Sequence, residues 1–179
     1  DCIEDAYLSL QRAGELAARL LQMAKGEKSE NVVIDATKVC DEVLGIVRRT
    51  FPRSIRVESE VEAKLRILAP ATALQQVLMN LCINARDAMP RAGVLRIDAR
   101  RDHSVRGGQL VLSVSDTGTG MDEETKRRIF QPFFTTKREG RGFGLGLATV
   151  AEAVHEMGGT IEVTSYVGRG TRFDICLPA

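Results

Sequence analysis

Three groups of residues have the types and spacing to do chemistry, and the first lies on one face of a helix. Between residues 71 and 89, Gln76, Asn80, Asn84 and Asp87 recur at steps of four, four and three, while Leu74, Val77, Leu78, Leu81, Ala85 and Ala88 mark a core-facing side. Steps of three and four keep the polar residues on one line of the helix. A solvated face is one reading, although such faces favour Lys, Glu and Arg, and Asn is a weaker helix former. The other is the wall of a ligand site, since an amide held in a pocket needs a partner. Its neutral oxygen suits Mg²⁺, which keeps several waters and is commonly shared with substrate phosphates.

The second group is Asp116-Thr-Gly-Thr-Gly-Met121, directly after an alternating apolar run. A strand end fixes the carboxylate, and the glycines let the backbone turn sharply and approach something flat or charged. The same residues also fit an Asx turn closing a hairpin. The third is the run Gly140-Arg-Gly-Phe-Gly-Leu-Gly-Leu147, with glycines on alternate positions leading into a helix. Free amides and the positive end of the helix dipole make such a junction an anion site. Lys137, Arg138 and Arg141 would add positive charge around a polyphosphate. A hinge with solvated charges is the alternative. The sequence holds neither a Walker loop nor a dinucleotide-binding G-x-G-x-x-G after a strand.

These groups need elements to position them. Residues 32–34, 55–60, 65–68, 94–100 and 110–115 read as strands, and 36–50, 71–89, 122–130 and 144–157 as helices. A C-terminal hairpin spans 160–164 and 171–177, and 131–143 is an irregular loop rich in Gly and Arg. The mixture predicts an α/β two-layer sandwich. Apolar residues Ile3, Tyr7, Leu10, Ala13, Ala17, Leu20, Leu21 and Ala24 describe the stripe of one further helix at the start, ended by the polar stretch 26–31.

Composition bounds the possibilities. The chain has 179 residues, 44% hydrophobic and 27% charged, enough to bury the core of one domain plus an extra element. A net charge of +1 gives no global field for nucleic acid or an anionic membrane. The apolar stretches fall short of the roughly 20 residues that span a bilayer, and no signal peptide is read at the start. Cys2, Cys40, Cys82 and Cys176 form no C-x-x-C pair, and they read as core residues of a reduced, cytoplasmic domain.

In order, Asn80-Leu-Cys-Ile-Asn84-Ala, Asp116-Thr-Gly-Thr-Gly120, Phe130-Gln-Pro-Phe-Phe134, Gly142-Phe-Gly-Leu-Gly-Leu147 and Gly168-Arg-Gly-Thr171 resemble the N box, first glycine box, F box, second glycine box and final G-T element of sensor histidine kinases. The resemblance covers residues 32–179, and NARDAM, IFQPFFTTK and GLGLATV look most like the nitrogen-regulation and hybrid-kinase branch. It implies the Bergerat ATP-binding fold of the GHKL superfamily, a mixed sheet covered on one face by three helices.

The resemblance also implies roles. Asn84 would coordinate Mg²⁺ bridging the triphosphate of ATP, with Asn80 beside it. Asp116 would accept the adenine amino group, with Gly118 and Gly120 giving the base room. Ile129 and Phe134 would line the pocket under a lid formed by residues 131–143. Gly142, Gly144, Leu145, Gly146 and Leu147 would bring amides to the phosphates, with Lys137 and Asp87 in the same site. Thr171 would support Asp116 through a hydroxyl or water. ATPases of this fold carry a Glu one turn before the magnesium Asn, where this sequence has Asn80, and an amide cannot act as general base.

That pattern implies a kinase, with Asn80, Asn84 and Lys137 as its catalytic residues. The histidine acceptor of such kinases lies on a helical hairpin, and neither His103 nor His155 stands in that context. Residues 1–27 resemble the second helix of the hairpin, and residues 28–179 the catalytic domain. The expected partners are therefore the hairpin, a response-regulator receiver domain and a second subunit of a homodimer. An ATP-dependent regulatory module or an anti-sigma-type serine kinase of the same fold is the alternative.

Overall fold

Asp35 starts the first helix by accepting the Lys38 N–H on its side chain, which satisfies one of the free first-turn amides. The computed structural model describes residues 31–104, 108–137 and 143–179. The expected N-terminal helix and the boundary at 27/28 lie outside them. β1 is Val32–Asp35, α1 Ala36–Thr50, β2 Ile55–Val61, β3 Arg66–Ala69 and α2 Ala71–Ala88. β4 is Gly93–Asp102, β5 Gln109–Asp116, α3 Glu123–Arg128, α4 Gly146–Glu156, β6 Thr160–Tyr166 and β7 Gly170–Pro178.

Five strands form one mixed sheet in the order β2-β4-β5-β7-β6, in which β2 and β4 are parallel and every other pair is antiparallel. Period two sends Leu95, Ile97 and Ala99 of β4, Leu110, Leu112 and Val114 of β5, and Phe173, Ile175 and Leu177 of β7 to one face. Register aligns them, with Ile97 opposite Val114 and Val114 opposite Phe173. α2 packs centrally against this face, with α1 on one side and α4 on the other. The buried side of α2 holds the expected Leu74, Val77, Leu78, Leu81 and Ala85 together with Cys82, while Ala88 at its end is only half-buried. This is the three-helix layer that the sequence implied.

The opposite face carries charge in place of a second layer. Arg96 binds Asp98 at 2.7 Å and Glu60 at 2.9 Å, and Arg172 reaches Asp174 at 2.8 Å. β1 and β3 stand apart as an antiparallel ribbon, pairing Val33 with Leu68. The ribbon is tied to α1 by the Ala36 N–H on the Leu65 carbonyl, and Thr37 accepts the Leu65 N–H on its hydroxyl. The thiols of Cys40 and Cys82 are pushed up to about 12, in both cases chiefly by burial. No helix among the described residues is long and apolar enough to cross a membrane.

Leu78 is fully buried at the centre of α2. Leu78→Ala is expected to lower stability by about 2–5 kcal/mol, read as a lower urea midpoint at unchanged slope.

Candidate functional site

β5 ends at Asp116, and the chain turns beneath the C-terminal end of α2, where the Ala88 carbonyl accepts the Thr119 N–H at 3.0 Å. Asp116 accepts the Gly118 N–H at 2.7 Å and a backbone N–H from Thr171, its register partner on β7. Burial pushes its carboxyl above the usual range, and the bonds from Gly118 and Thr171 offset only part of that. The β6–β7 turn braces the loop. Met121 donates its N–H to Ser165 Oγ at 2.9 Å, Ser165 Oγ shares a hydrogen bond with Thr171 Oγ1 at 2.9 Å, and Gly168 N–H reaches the Thr119 carbonyl at 2.7 Å. Gly120 is required here: its φ is +64°, and a Cβ would lie 2.0 Å from the Tyr166 carbonyl oxygen.

Beside this carboxylate opens a cavity of about 600 Å³. One wall is the polar line of α2, where Asn80, Asn84 and Asp87 reach the cavity. Gln76, the fourth member of the line, does not border it. Asn80 donates its Nδ2 to the Gly146 carbonyl at 3.5 Å, joining α2 to the start of α4. The first residues of α4, Gly146 and Leu147, line the cavity, and no side chain of the described residues caps that helix end. Its amides and dipole are available to an anion. Gly144 also borders the cavity, at φ +68°, where a Cβ would lie 2.4 Å from the Phe133 carbonyl carbon.

The third wall is Ile129, Phe134 and the segment 135–137. The Arg128 guanidinium stacks over the Phe134 ring at 4.4 Å. Lys137 donates its Nζ to Asp87 Oδ2 at 2.6 Å and to Asn84 Oδ1 at 3.3 Å. Asp87 Oδ1 accepts Arg86 Nε at 3.0 Å and Nη2 at 2.8 Å. Burial would raise the Asp87 carboxyl, but the bonds from Lys137 and Arg86 outweigh it and hold the group below the usual range.

Thus Asn80, Asn84, Asp87, Asp116, Gly120, Ile129, Phe134, Lys137, Gly144, Gly146, Leu147 and Thr171 converge on one cavity. Three expectations come out differently. Gly118 gives no room beside the cavity, because it lies against α2, where a Cβ would be 2.6 Å from the Ala88 carbonyl oxygen. Leu145 is a buried residue at the start of α4 and is not on the cavity wall. Thr171 supports Asp116 through its own N–H, while its hydroxyl serves Ser165. Gly142 lies outside the described residues. Met121, Thr125, Phe143 and Phe173 also line the cavity; in the sequence, apolar residues on strands and loops carry no sign separating a pocket wall from the core.

The only carboxylates among the described lining residues are Asp87 and Asp116. Both are engaged, and no Glu is present there. Among the described residues no three His, Cys, Asp or Glu gather as a metal cage. The amide of Asn84 fits a cation that arrives on substrate phosphates, the usual habit of Mg²⁺. His103 and His155 are both exposed and border no part of the cavity.

Fold and cavity together define an α/β domain with a polar cavity between its helix layer and the loop that carries Lys137. Residues 69–179 match the model of the histidine kinase-, DNA gyrase B- and HSP90-like ATPases, and the chain belongs to this family. It is 34% identical to sensor kinase CckA of Brucella abortus, over 93% of this chain and 19% of that protein. The solved catalytic domain of histidine kinase ThkA superposes with a TM-score of 0.73 at 29% identity, over 83% of this chain and 95% of that one. Full-length ShkA in complex with AMPPNP superposes with a TM-score of 0.70 at 30% identity, covering 83% of this chain and 31% of that one. The chain spans 19% to 44% of the length of the curated relatives it matches.

The Asp116 carboxyl has a raised pKa in the fold, so its ionised form costs stability above that pKa, and the cost disappears as pH falls through it. Asp116→Asn is therefore expected to melt no lower than the unaltered chain at pH about 7, with any gain shrinking as the pH approaches about 4. A lower melting temperature at every pH would show that the turn needs the carboxylate itself.

Proposed function

We propose that this chain is the ATP-binding catalytic domain of a sensor histidine kinase, which transfers the ATP γ-phosphoryl to a histidine outside the described residues for relay to a response-regulator Asp. One observation carries this reading. The cavity has a half-buried carboxylate at one end and an amide, a lysine and a helix N-terminus at the other, with no unengaged carboxylate among its described lining residues.

Asp116 accepts the adenine amino group, and Ile129 and Phe134 flank the base. Such a carboxylate selects adenine over guanine, whose carbonyl would meet it lone pair to lone pair. Asn84 would hold the Mg²⁺ carried by the triphosphate, and the ion when bound would supply charge neutralisation to the phosphoryl oxygens. The amides of Gly144, Gly146 and Leu147 receive phosphate oxygens, and Lys137 adds a positive charge on the lid side. Asn80 cannot take a proton from water, so hydrolysis is slow and the γ-phosphoryl waits for an incoming nucleophile. Catalysis here is positioning and electrostatics.

The nucleophile is a histidine on the upstream helix of a hairpin, a helix this chain does not contain, and residues 1–27 resemble the hairpin's second helix. The domain works in the cytoplasm within a homodimer and passes phosphate to a receiver domain. In support, the relatives it resembles are sensor kinases and histidine kinases, and one solved relative, ShkA, is in complex with AMPPNP.

The decisive test supplies γ-labelled ATP with and without a separate hairpin bearing the acceptor histidine. Acid-labile label on the hairpin alone, with little free phosphate, is expected. Free phosphate as the sole product would assign the chain to the hydrolysing members of its family. Asn84→Ala should abolish measurable MgATP binding or transfer, and unchanged affinity and activity would remove Asn84 from its role. Asp116→Asn should lose the preference for ATP over GTP in a competition assay.

A further inference from the structure

We infer that Asp87 is a positioning residue for Lys137, holding the lid-side lysine at the phosphate end of the cavity beside Asn84. The inference rests on the nucleotide reading of that cavity. Lys137 and Asp87 are 50 residues apart in sequence and come from different walls, yet the Nζ–Oδ2 distance is 2.6 Å. The carboxylate is itself held. Both Arg86 nitrogens grip its other oxygen, and the Arg86 guanidinium rests on the Phe51 ring at 5.4 Å, just beyond the end of α1. A continuous set of contacts therefore runs from Phe51 through Arg86 and Asp87 to Lys137 and the Asn84 amide oxygen.

An ammonium has three N–H donors. Asp87 and Asn84 take two, and among the described residues no other acceptor takes the third, which can serve an anion in the cavity. A lysine on a flexible four-carbon stem is a mobile point charge, and fixing it in advance lowers the ordering cost of the contact it makes. The pair is only partly exposed, with Lys137 at 32% and Asp87 at 27%, so solvent screens it less than a surface ion pair.

A carboxylate on the wall of a polyanion site has an opposite, competing effect. By charge alone Asp87 repels phosphate, and removing it would tighten binding. If instead it positions Lys137, removing it weakens binding. The sign of the effect separates the two accounts.

The test measures affinities of the 179-residue chain for MgATP and for adenosine by calorimetry, in the unaltered protein, Asp87→Asn, Lys137→Gln, the double variant and Asp87→Glu. Each single neutral variant should weaken MgATP about tenfold or more, the loss of one charge-assisted contact. Adenosine, which has no phosphate, should bind within about twofold throughout, which also reports an intact fold. The double variant should be no weaker than the weaker single variant, and Asp87→Glu should recover part of the loss. MgATP binding by Asp87→Asn that equals or exceeds that of the unaltered chain would overturn the inference, as would losses that add in the double variant. Failure of the unaltered chain to bind MgATP would instead overturn the nucleotide reading, and this inference with it.

Discussion

A carboxylate kept partly out of water with two backbone N–H groups and no cation is the constraint around which this domain is arranged. Asp116 can hold that position only because β5 pairs with β7, which supplies the Thr171 N–H, and because the chain turns back at once to supply that of Gly118. The turn then has to fit under α2 and against the β6–β7 hairpin, which Ala88, Ser165 and Gly168 accomplish through their hydrogen bonds. One interaction thus fixes the distance between the helix layer and the sheet at the cavity mouth. Partly desolvated and not fully compensated, the group is also ready to accept a further donor from a ligand.

The two walls of the cavity are made differently. The Asp116 end is stapled by main-chain bonds between strands, a part of the structure that opens only with the sheet itself. The other end is made of side chains from α2 and residues of a loop, held to each other by Arg86, Asp87 and Lys137. On the proposed function that asymmetry would serve entry, with nucleotide passing between a floor of paired strands and a wall of side chains and loop.

Much of this was legible in the sequence, for physical reasons that differ by element. α1 could be read to the residue because Asp35 caps it and Phe51-Pro52 ends it, and α2 to within one residue, ending at Ala88 instead of Met89, because Pro70 and Pro90 bracket an uninterrupted apolar period. α4 was expected from residue 144 but begins at Gly146, because Gly144 takes a positive φ that no helix accommodates. Period two identified β1 and β3 as strands but carries no information on partners, so their separation from the main sheet was not readable. The same limit hid the main-chain role of Thr171, which depends on register and not on its hydroxyl. Side-chain type pointed to Asn84, Asp116 and Lys137 singly, while the bond between Asp87 and Lys137 joins positions with no shared pattern.

The division of the cavity into a stapled end and a movable end has a consequence for product release. On the function proposed above, transfer of one phosphoryl group would leave a diphosphate that keeps the contacts made at the Asp116 end, where only the base would lie. Whatever makes the product leave sooner than the substrate must come from Asn84, Lys137 and the start of α4, the groups that lose a phosphate to hold. On that reading, how long the spent nucleotide stays is decided beside Asn84 and Lys137, and the tighter the base is held, the more that end decides it.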